Sequence, residues 1–269
     1  RKNRINRRKP NHHTMQIILA SAKIMNSKTA VSAPEKTIPV FSSEAERFAL
    51  EMSSWDVETL AKRLNCSNSI ALENQLRFQS FFNDDEKLPA LLAYNGHAYK
   101  HLQASSFTES DFRFAQHHLF ITSFLYGLLR PLDQIHPYRM EAKVTLKATQ
   151  HQNMFAFWRP LLTDMLIDAV KQDDGILIHL ATEEYEHLFD WKRICREVKV
   201  IQPLFYVEKG DKMKVVSVYA KQCRGAMTGC IIRHQWHSPQ QLLTFNEADF
   251  VYQPNYGDEL HPHFILNQT

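Results

Sequence analysis

Short apolar runs alternate along the chain with segments in which apolar residues recur every three or four positions. The runs 15–20, 119–129 and 175–180 predict buried strands, and Pro131 would end the second of them because proline cannot donate to a sheet. The helical spacing predicts helices over 44–52, 57–64, 70–82, 110–118, 153–170 and 221–234. Pro160 predicts a kink or a shifted boundary in the fifth of these helices.

The C-terminal third adds strand patterns. Residues 198–207 and 213–219 predict a hairpin around the turn 209–211, and residues 245–265 predict further strands. No linker or internal repeat divides the chain, and strands and helices mix without a regular alternation. We therefore expect an α/β fold (α+β mixed), in which residues 15–269 form a single compact domain with a mixed β-sheet flanked by helices.

The first 14 residues differ from the rest, because they hold six basic residues and no acidic one. They predict a disordered basic extension or a start-site artefact, with Met15 as the true start. The apolar run after them is too short for a signal peptide, and no run is long enough to cross a membrane. The remaining 26 basic and 29 acidic residues give a net charge of −3, so anion binding requires local clusters of cations.

Familiar signatures of chemistry are missing from the sequence. The four cysteines match neither a zinc nor a disulfide pattern, which predicts reduced thiols in a cytoplasmic protein. The 14 histidines show no ligand spacing, so we expect neither a metal nor a cofactor. A P-loop, a dinucleotide fingerprint and a nucleophile elbow are also absent, which argues against an enzyme.

A polar cluster follows the run 119–129. Its members are Tyr126, Arg130, Asp133, Tyr138, Arg139 and Glu141. Arginine offers a planar fork that suits phosphate or carboxylate, so the cluster is a candidate anion site. The alternative is that Arg130–Asp133 and Arg139–Glu141 are internal ion pairs that order a loop.

A second cluster lies where a strand is predicted to give way to a helix. It holds Tyr219, Lys221, Cys223, Arg224 and Gly225. Two cations and the free amides of a helix start would bind an anion, whereas the alternative is an exposed basic first turn. Cys223 would be a thiol of low pKa in that setting, and a packed thiol is the alternative.

Two smaller candidates also follow predicted strands. Lys23 comes just after the first strand, and Glu184 and Tyr185 come after the strand 175–180. Glu184 is a candidate for acid, base or metal chemistry, although the helix dipole alone favours acidic residues at a helix start. A solvated lysine is the alternative for Lys23.

Residues 54–82 predict a helical hairpin. It carries Lys62, Arg63 and Arg77, and paired helices with basic residues can grip a DNA backbone. Its turn at residues 65–68 lacks the glycine that would bring backbone close to phosphate, so ordinary helix packing is the alternative.

Taken together, several segments resemble the bacterial YaaA family of peroxide-stress proteins. They are MQIILASAK (15–23), SDFRFAQHHL (110–119), LYGLLRPLDQIHPYRME (125–141), MFAFW (154–158), LIHLATEEY (177–185) and VYAKQCRGAMTGCII (218–232). The sequence departs from the family pattern at His179, where the family has Asn, and at Gly229, where it has Arg. The start SAKIM also replaces the usual SPAKTL.

The resemblance implies a fold of the YaaA type with a positively charged cleft and a helix-hairpin-helix element. It implies binding to duplex, bubble or junction DNA without strong sequence specificity, self-association on DNA, and a part in iron homeostasis that limits iron-dependent damage under peroxide stress. The implied cleft cations are Lys23, Arg130, Arg139, Lys221 and Arg224. Two alternatives stay open, namely an enzyme acting on a nucleotide or a DNA lesion in the same cleft, and iron sequestration.

Overall fold

A computed structural model describes residues 13–268 of the chain. Residues 1–12 of the predicted extension and residue 269 lie outside the described part. Thr14, which the sequence assigned to the extension, is buried, and its backbone N–H and hydroxyl both donate to the Asp173 carboxylate. The packed chain therefore begins before Met15.

The elements of the described residues are as follows. The α-helices are α1 (Ser42–Ser53), α2 (Val57–Arg63), α3 (Asn68–Gln79), α4 (Ala90–Ala93), α5 (His97–Leu102), α6 (Glu109–His118), α7 (Met154–Gln172), α8 (Glu183–Glu186), α9 (Trp191–Glu197), α10 (Ser217–His234) and α11 (Pro239–Leu242). The strands are β1 (Gln16–Ala20), β2 (Leu88–Pro89), β3 (Leu119–Ser123), β4 (Gly127–Leu129), β5 (Gln134–Ile135), β6 (Ile176–Leu180), β7 (Lys199–Ile201), β8 (Leu204–Lys209), β9 (Lys212–Lys214), β10 (Asn246–Glu247), β11 (Phe250–Asp258) and β12 (His261–Asn267).

The central sheet has the strand order β4-β3-β1-β6-β7. Ile17 of β1 pairs in parallel with Leu119 of β3 on one side and with Ile178 of β6 on the other, and β4 is an antiparallel edge. The strands on one side of β1, β3 and β4, thus come earlier in the sequence than β6 and β7 on its other side. The strand order reverses between β1 and β6, and the carboxyl ends of strands at such a switch point leave a crevice in which ligands bind.

A second sheet has the order β10-β11-β12-β8-β9, in which β12 is parallel to β8 and the other pairs are antiparallel. Strands β2 and β5 form a third, two-stranded sheet. One continuous apolar core reaches from Met15 and Trp158 at the first sheet to Phe205 and Phe264 at the second. The predicted α/β fold with mixed sheets is confirmed.

The predicted single strand over 119–129 is wrong, because the chain turns at residues 124–126 and forms the hairpin β3–β4. The backbone N–H of Tyr126 donates to Ser123 Oγ at 3.0 Å, and Gly127 has a φ of +74°. A Cβ on Gly127 would lie 2.9 Å from the Trp158 ring, so glycine is required twice over. Every residue of the hairpin is buried, so no exposed position marks the turn.

Three further predictions differ from the structure. The predicted strand 198–207 is two strands, β7 of the central sheet and β8 of the second sheet, and only β8 forms the hairpin with β9. Strand β9 ends at Lys214 and α10 begins at Ser217, so Tyr219 lies on a helix and not on a strand. Pro160 lies inside α7, which runs unbroken for 19 residues. The α2–α3 hairpin and the strands after residue 245 agree with the sequence prediction.

Candidate functional site

A pocket of about 280 Å³ opens at the carboxyl ends of β1 and β6, which is the switch point of the central sheet. A second depression shares Ser21, Lys23 and Tyr185 with this pocket and extends to residues 138–141. We call the two together the switch-point cleft. Its walls are residues 21–24 after β1, residues 96–99 at α5, residues 138–141, Glu184 and Tyr185 of α8, and Lys221 and Arg224 of α10.

The crossing of α5 and α10 brings the C-terminal half of the chain to this cleft. A Cβ on Gly225 would lie 1.8 Å from the carbonyl oxygen of Ala98, so only glycine allows the two backbones to come this close. Gly225 was a candidate cleft residue, and the structure buries it in the helix crossing instead. Its neighbours Lys221 and Arg224 line the pocket opposite residues 96–99.

Lys221 and Arg224 have no ion pair or side-chain hydrogen bond within residues 13–268. Lys221 is exposed and Arg224 is half-buried. Burial lowers the pKa of the Arg224 guanidinium from its usual value, and the neighbouring Cys223 opposes that shift. A partly buried cation without a counter-ion has lost part of its hydration and has gained no ion pair in exchange. An anion bound in the pocket would supply that ion pair.

At the other end of the cleft, two cations share one carboxylate. Glu141 Oε1 lies 3.3 Å from Lys23 Nζ and 3.2 Å from an Arg139 guanidinium nitrogen. The Nε of Arg139 is buried and has no hydrogen-bond partner in the described part of the chain. The predicted ion pair Arg139–Glu141 is therefore present, and the trio as a whole keeps one positive charge.

Three tyrosines, Tyr99, Tyr138 and Tyr185, line the cleft. Tyr138 Oη lies 2.6 Å from both Ser123 Oγ and Tyr94 Oη, in contacts where either atom can donate. Burial raises the pKa of Tyr138 and of Tyr185, while hydrogen bonds with the Ser21 hydroxyl act against that shift in both. Tyr138 and Tyr185 are thus neutral near pH 7, and the Tyr138 hydroxyl is held by partners within the protein.

Arg130 and Asp133, which the sequence counted as cleft residues, lie outside the cleft. An Arg130 guanidinium nitrogen donates to Asp133 Oδ1 at 2.9 Å and to the Ile38 carbonyl at 2.9 Å. The carboxylate of Asp133 is fully buried and also accepts the Arg130 backbone N–H. The alternative of an internal ion pair is therefore correct for this pair, which orders the turn after β4.

Two candidate tyrosines also lie elsewhere. Tyr126 is buried, accepts the backbone N–H of His136 at 3.1 Å, and lines a separate cavity of about 480 Å³. Tyr219 is partly exposed on the first turn of α10, with its ring edge toward Phe250. Neither side chain lines the switch-point cleft.

The basic residues of the helical hairpin are also outside the cleft. Arg63 donates to Thr145 and lies 4.7 Å from the centre of the Trp55 ring, and Arg77 pairs with Glu73 at 3.0 Å. Lys62 is exposed. The side chains of Arg63 and Arg77 are therefore both engaged in contacts within the protein.

Cys66, in the turn of the hairpin, nevertheless lies within electrostatic reach of two residues of the cleft wall. Burial raises the pKa of the Cys66 thiol, and the charges of Arg139 and Glu141 act on it in opposite directions. In the same turn Asn65 has a φ of +49°, the left-handed conformation that glycine adopts more easily.

The sequence predicts that the free amides of a helix start lie beside Lys221 and Arg224, and this part of the predicted anion site is wrong. Because α10 begins at Ser217, those amides belong to residues 217–220, and Lys221 and Arg224 lie further along the helix. Cys223 is buried, and burial raises its pKa to about 12. The low-pKa thiol is therefore excluded, and the alternative of a packed cysteine is correct.

Sequence reasoning missed the wall made by residues 96–99. These residues carry no charge pattern, and the only signal was the dipeptide Asn95-Gly96, a turn signal before a helix.

His179, where the family pattern has Asn, lies in the interior of the fold. His179 Nε2 lies 2.9 Å from Glu186 Oε2, and its ring contacts Trp191.

Within residues 13–268, no three His, Cys, Asp or Glu side chains lie close enough together to hold a metal ion. In the same part of the chain, none of the helices has the length and apolar character needed to span a bilayer.

Comparison with known proteins gives a consistent result. A family model described as peroxide stress protein YaaA matches residues 15–256. A UPF0246 protein of Bacteroides fragilis is 44% identical over 256 residues, which cover 95% of this chain and 100% of the relative. UPF0246 proteins of Porphyromonas gingivalis and Crocosphaera subtropica are 40% and 36% identical, over 94% and 93% of this chain and 100% of each relative.

Proposed function

The chain belongs to the YaaA (UPF0246) family of peroxide stress proteins, and on that premise we propose that it binds DNA through the switch-point cleft. Binding depends on phosphate contacts and carries no strong sequence specificity, and the DNA is duplex, bubble or junction. The protein acts in the cytoplasm, where it limits iron-dependent oxidative damage to the DNA that it covers.

The observation that supports this proposal is the convergence of four cations on one cleft. Lys23, Arg139, Lys221 and Arg224 come from three distant parts of the sequence and line the same surface. Side chains of this kind make the phosphate contacts that position proteins on DNA. Because the chain without its first 14 residues carries a net charge of −3, such a cluster does not follow from bulk charge.

Fluorescence anisotropy with labelled duplex, bubble and junction DNA over a series of KCl concentrations tests the proposal. The full chain is compared with a chain lacking residues 1–12, which retains Thr14 and its hydrogen bonds to Asp173. This comparison is essential because the removed segment contains six basic residues, and a segment of that charge can bind DNA without a folded site.

The proposal predicts that the shorter chain still binds, with an affinity that falls steeply as salt rises. Loss of all binding on removal of residues 1–12 would refute it, because binding would then belong to the extension alone. For the protective role, strand breakage by Fe(II) and hydrogen peroxide should decrease when the DNA is saturated with the shorter chain, and not when albumin replaces it.

A second candidate function is an enzyme that acts on a nucleotide or a DNA lesion in the same cleft. The observation in its favour is that Glu141 and Glu184 line the cleft together with the cations, because phosphate binding alone does not require acids. Product analysis on oligonucleotides that contain an abasic site or an oxidised base tests this function. Turnover that is lost in Glu184→Gln would support it, and intact substrates after prolonged incubation would refute it.

A further inference from the structure

The pocket lined by α5 and α10 is the larger part of the switch-point cleft, and its size limits what it holds. Its volume of about 280 Å³ lies near the lower end of the roughly 300–1,000 Å³ that small-molecule sites occupy. A DNA duplex, whose major groove alone is about 12 Å wide, cannot enter such a space. The pocket therefore accepts one small unit, while a duplex lies across its mouth.

The charge in this pocket differs from the charge elsewhere in the cleft. Lys23 and Arg139 share the Glu141 carboxylate, whereas Lys221 and Arg224 have no acidic partner within residues 13–268. Two unpaired cations three residues apart on one helix match the charge of a phosphate monoester, about −1.5 to −2 at pH 7. An internal phosphodiester carries a single charge and pairs with only one of the two cations, so a duplex across the mouth would need two of its phosphates to pair both.

The remaining walls suit an apolar, planar group. Ala22, Ile24, Ala98 and Leu180 line the pocket together with the tyrosines 99 and 185. Ile24 is 67% exposed, so it offers apolar surface that the fold itself does not use. Phe124 stacks on Tyr185 with ring centres 5.1 Å apart, which holds that ring in place for contact with a base.

From these observations we propose that the pocket binds one nucleoside monophosphate unit, with its phosphate on Lys221 and Arg224 and its base against the apolar wall. The unit is either a free mononucleotide or the 5′-phosphorylated end of a DNA strand, which present the same chemistry. This inference rests on the proposed function, because it assigns a specific role to one part of the same cleft.

Isothermal titration calorimetry of the full chain with dAMP tests the inference. Deoxyadenosine lacks the phosphate and inorganic phosphate lacks the base, so each should bind at least tenfold more weakly than dAMP. Lys221→Gln and Arg224→Gln should each weaken dAMP binding about tenfold. Lys221 is exposed, so its variant should fold normally, and thermal melting checks this for both. Lys62→Gln, which removes an exposed cation outside the cleft, should leave dAMP affinity unchanged.

Competition experiments identify the source of the ligand. Displacement of dAMP by a 5′-phosphorylated single strand, but not by the same strand with a 5′-hydroxyl, would assign the pocket to DNA ends. Displacement by neither strand, with dAMP still bound, would assign it to free nucleotides. Both results support the inference.

Other outcomes would overturn it. Equal affinity for dAMP and deoxyadenosine, or unchanged dAMP affinity in the Lys221 and Arg224 variants, would refute the phosphate assignment. Salt-dependent duplex binding without dAMP binding would refute this inference and leave the proposed function intact. Binding of dAMP without any binding of DNA would refute the proposed function and leave the pocket assignment intact.

Discussion

Gly225→Ala tests whether the α5–α10 crossing builds the cleft. The new Cβ would lie 1.8, 2.4 and 2.6 Å from the oxygen, carbon and Cα of Ala98, whereas ordinary contact begins at 3.4 Å. All three atoms belong to the backbone of α5, so no side chain can rotate away. One of the two helices must move instead, and with it the distance between Lys221, Arg224 and residues 96–99.

The cost of this substitution follows from two opposing effects. Overpacking a well-packed interior typically costs about 1–3 kcal/mol, and occasionally more when backbone must shift. Replacing glycine by alanine inside a helix returns about 1 kcal/mol of helix propensity. Because the clash is far inside contact distance, we expect a net loss of about 2 kcal/mol. That loss lowers Tm by roughly 4–8 °C in a chain of this size.

Gly229→Ala is the matched control, because Gly229 lies one turn further along α10 and also faces α5. Its Cβ would meet an Arg233 guanidinium nitrogen at 2.5 Å and the Leu102 oxygen at 2.9 Å, so the overlap with backbone is smaller than at Gly225. Differential scanning fluorimetry should show the larger loss for Gly225→Ala, and anisotropy should show weaker DNA binding for that variant. If its Tm equals that of Gly229→Ala, the close crossing does not hold the cleft together.

Three further predictions concern single groups. Burial acts to raise the pKa of Asp173, but hydrogen bonds from its neighbours outweigh it and lower the pKa, so this carboxylate stabilises the fold above its unfolded pKa of about 3.9. The stability that Asp173 contributes is lost as pH falls through its folded-state pKa. Asp173→Asn should therefore make Tm depend less steeply on pH in the acidic range, and an unchanged dependence would contradict this. Burial raises the pKa of Cys223 to about 12, so iodoacetamide at pH 8 should label the exposed Cys195 first and Cys223 only after unfolding, as peptide mass spectrometry can show. Arg130→Ala removes the cation beside the buried Asp133 carboxylate, which keeps its hydrogen bonds from the backbone N–H of residue 130 and from Thr37. The variant should cost about 2 kcal/mol, discounted for the partial exposure of the arginine. DNA affinity should not change, and weaker binding in the folded variant would restore Arg130 to the interface.

Sequence reasoning reached those parts of the fold where a pattern is local. The strand β1 follows from a short apolar run and lies where the run predicts it, and helix α3 follows from helical spacing, with its end three residues earlier than predicted. The turn at residues 124–126 left no such signal, because a hairpin that is buried on all sides has no alternation to interrupt. The start of α10 was missed because β-branched and aromatic residues at 215–219 favour a strand. The helix that packs against α5 at Gly225 extends back over residues 217–219, which are exposed.

The candidate site was predictable in its charges and not in its geometry. Arg130 and Arg139 each precede an acidic residue by two or three positions, and the sequence does not distinguish the pair that orders a turn from the pair that lines the cleft. Gly225 owes its role to a helix distant in sequence. The family resemblance identified the cations of the cleft. Only the structure shows that Lys23 and Arg139 pair with Glu141, whereas Lys221 and Arg224 have no acidic partner among the described residues.

The most direct test of the account is the salt dependence of duplex DNA binding in the double variant Lys221→Gln/Arg224→Gln, measured by anisotropy in the chain lacking residues 1–12. Each lost phosphate contact should reduce the slope of log K against log salt by about 0.9, so the double variant should be less steep by about 1.8 and bind more weakly at low salt. An unchanged slope with unchanged affinity would contradict the claim that these two unpaired cations bind phosphate.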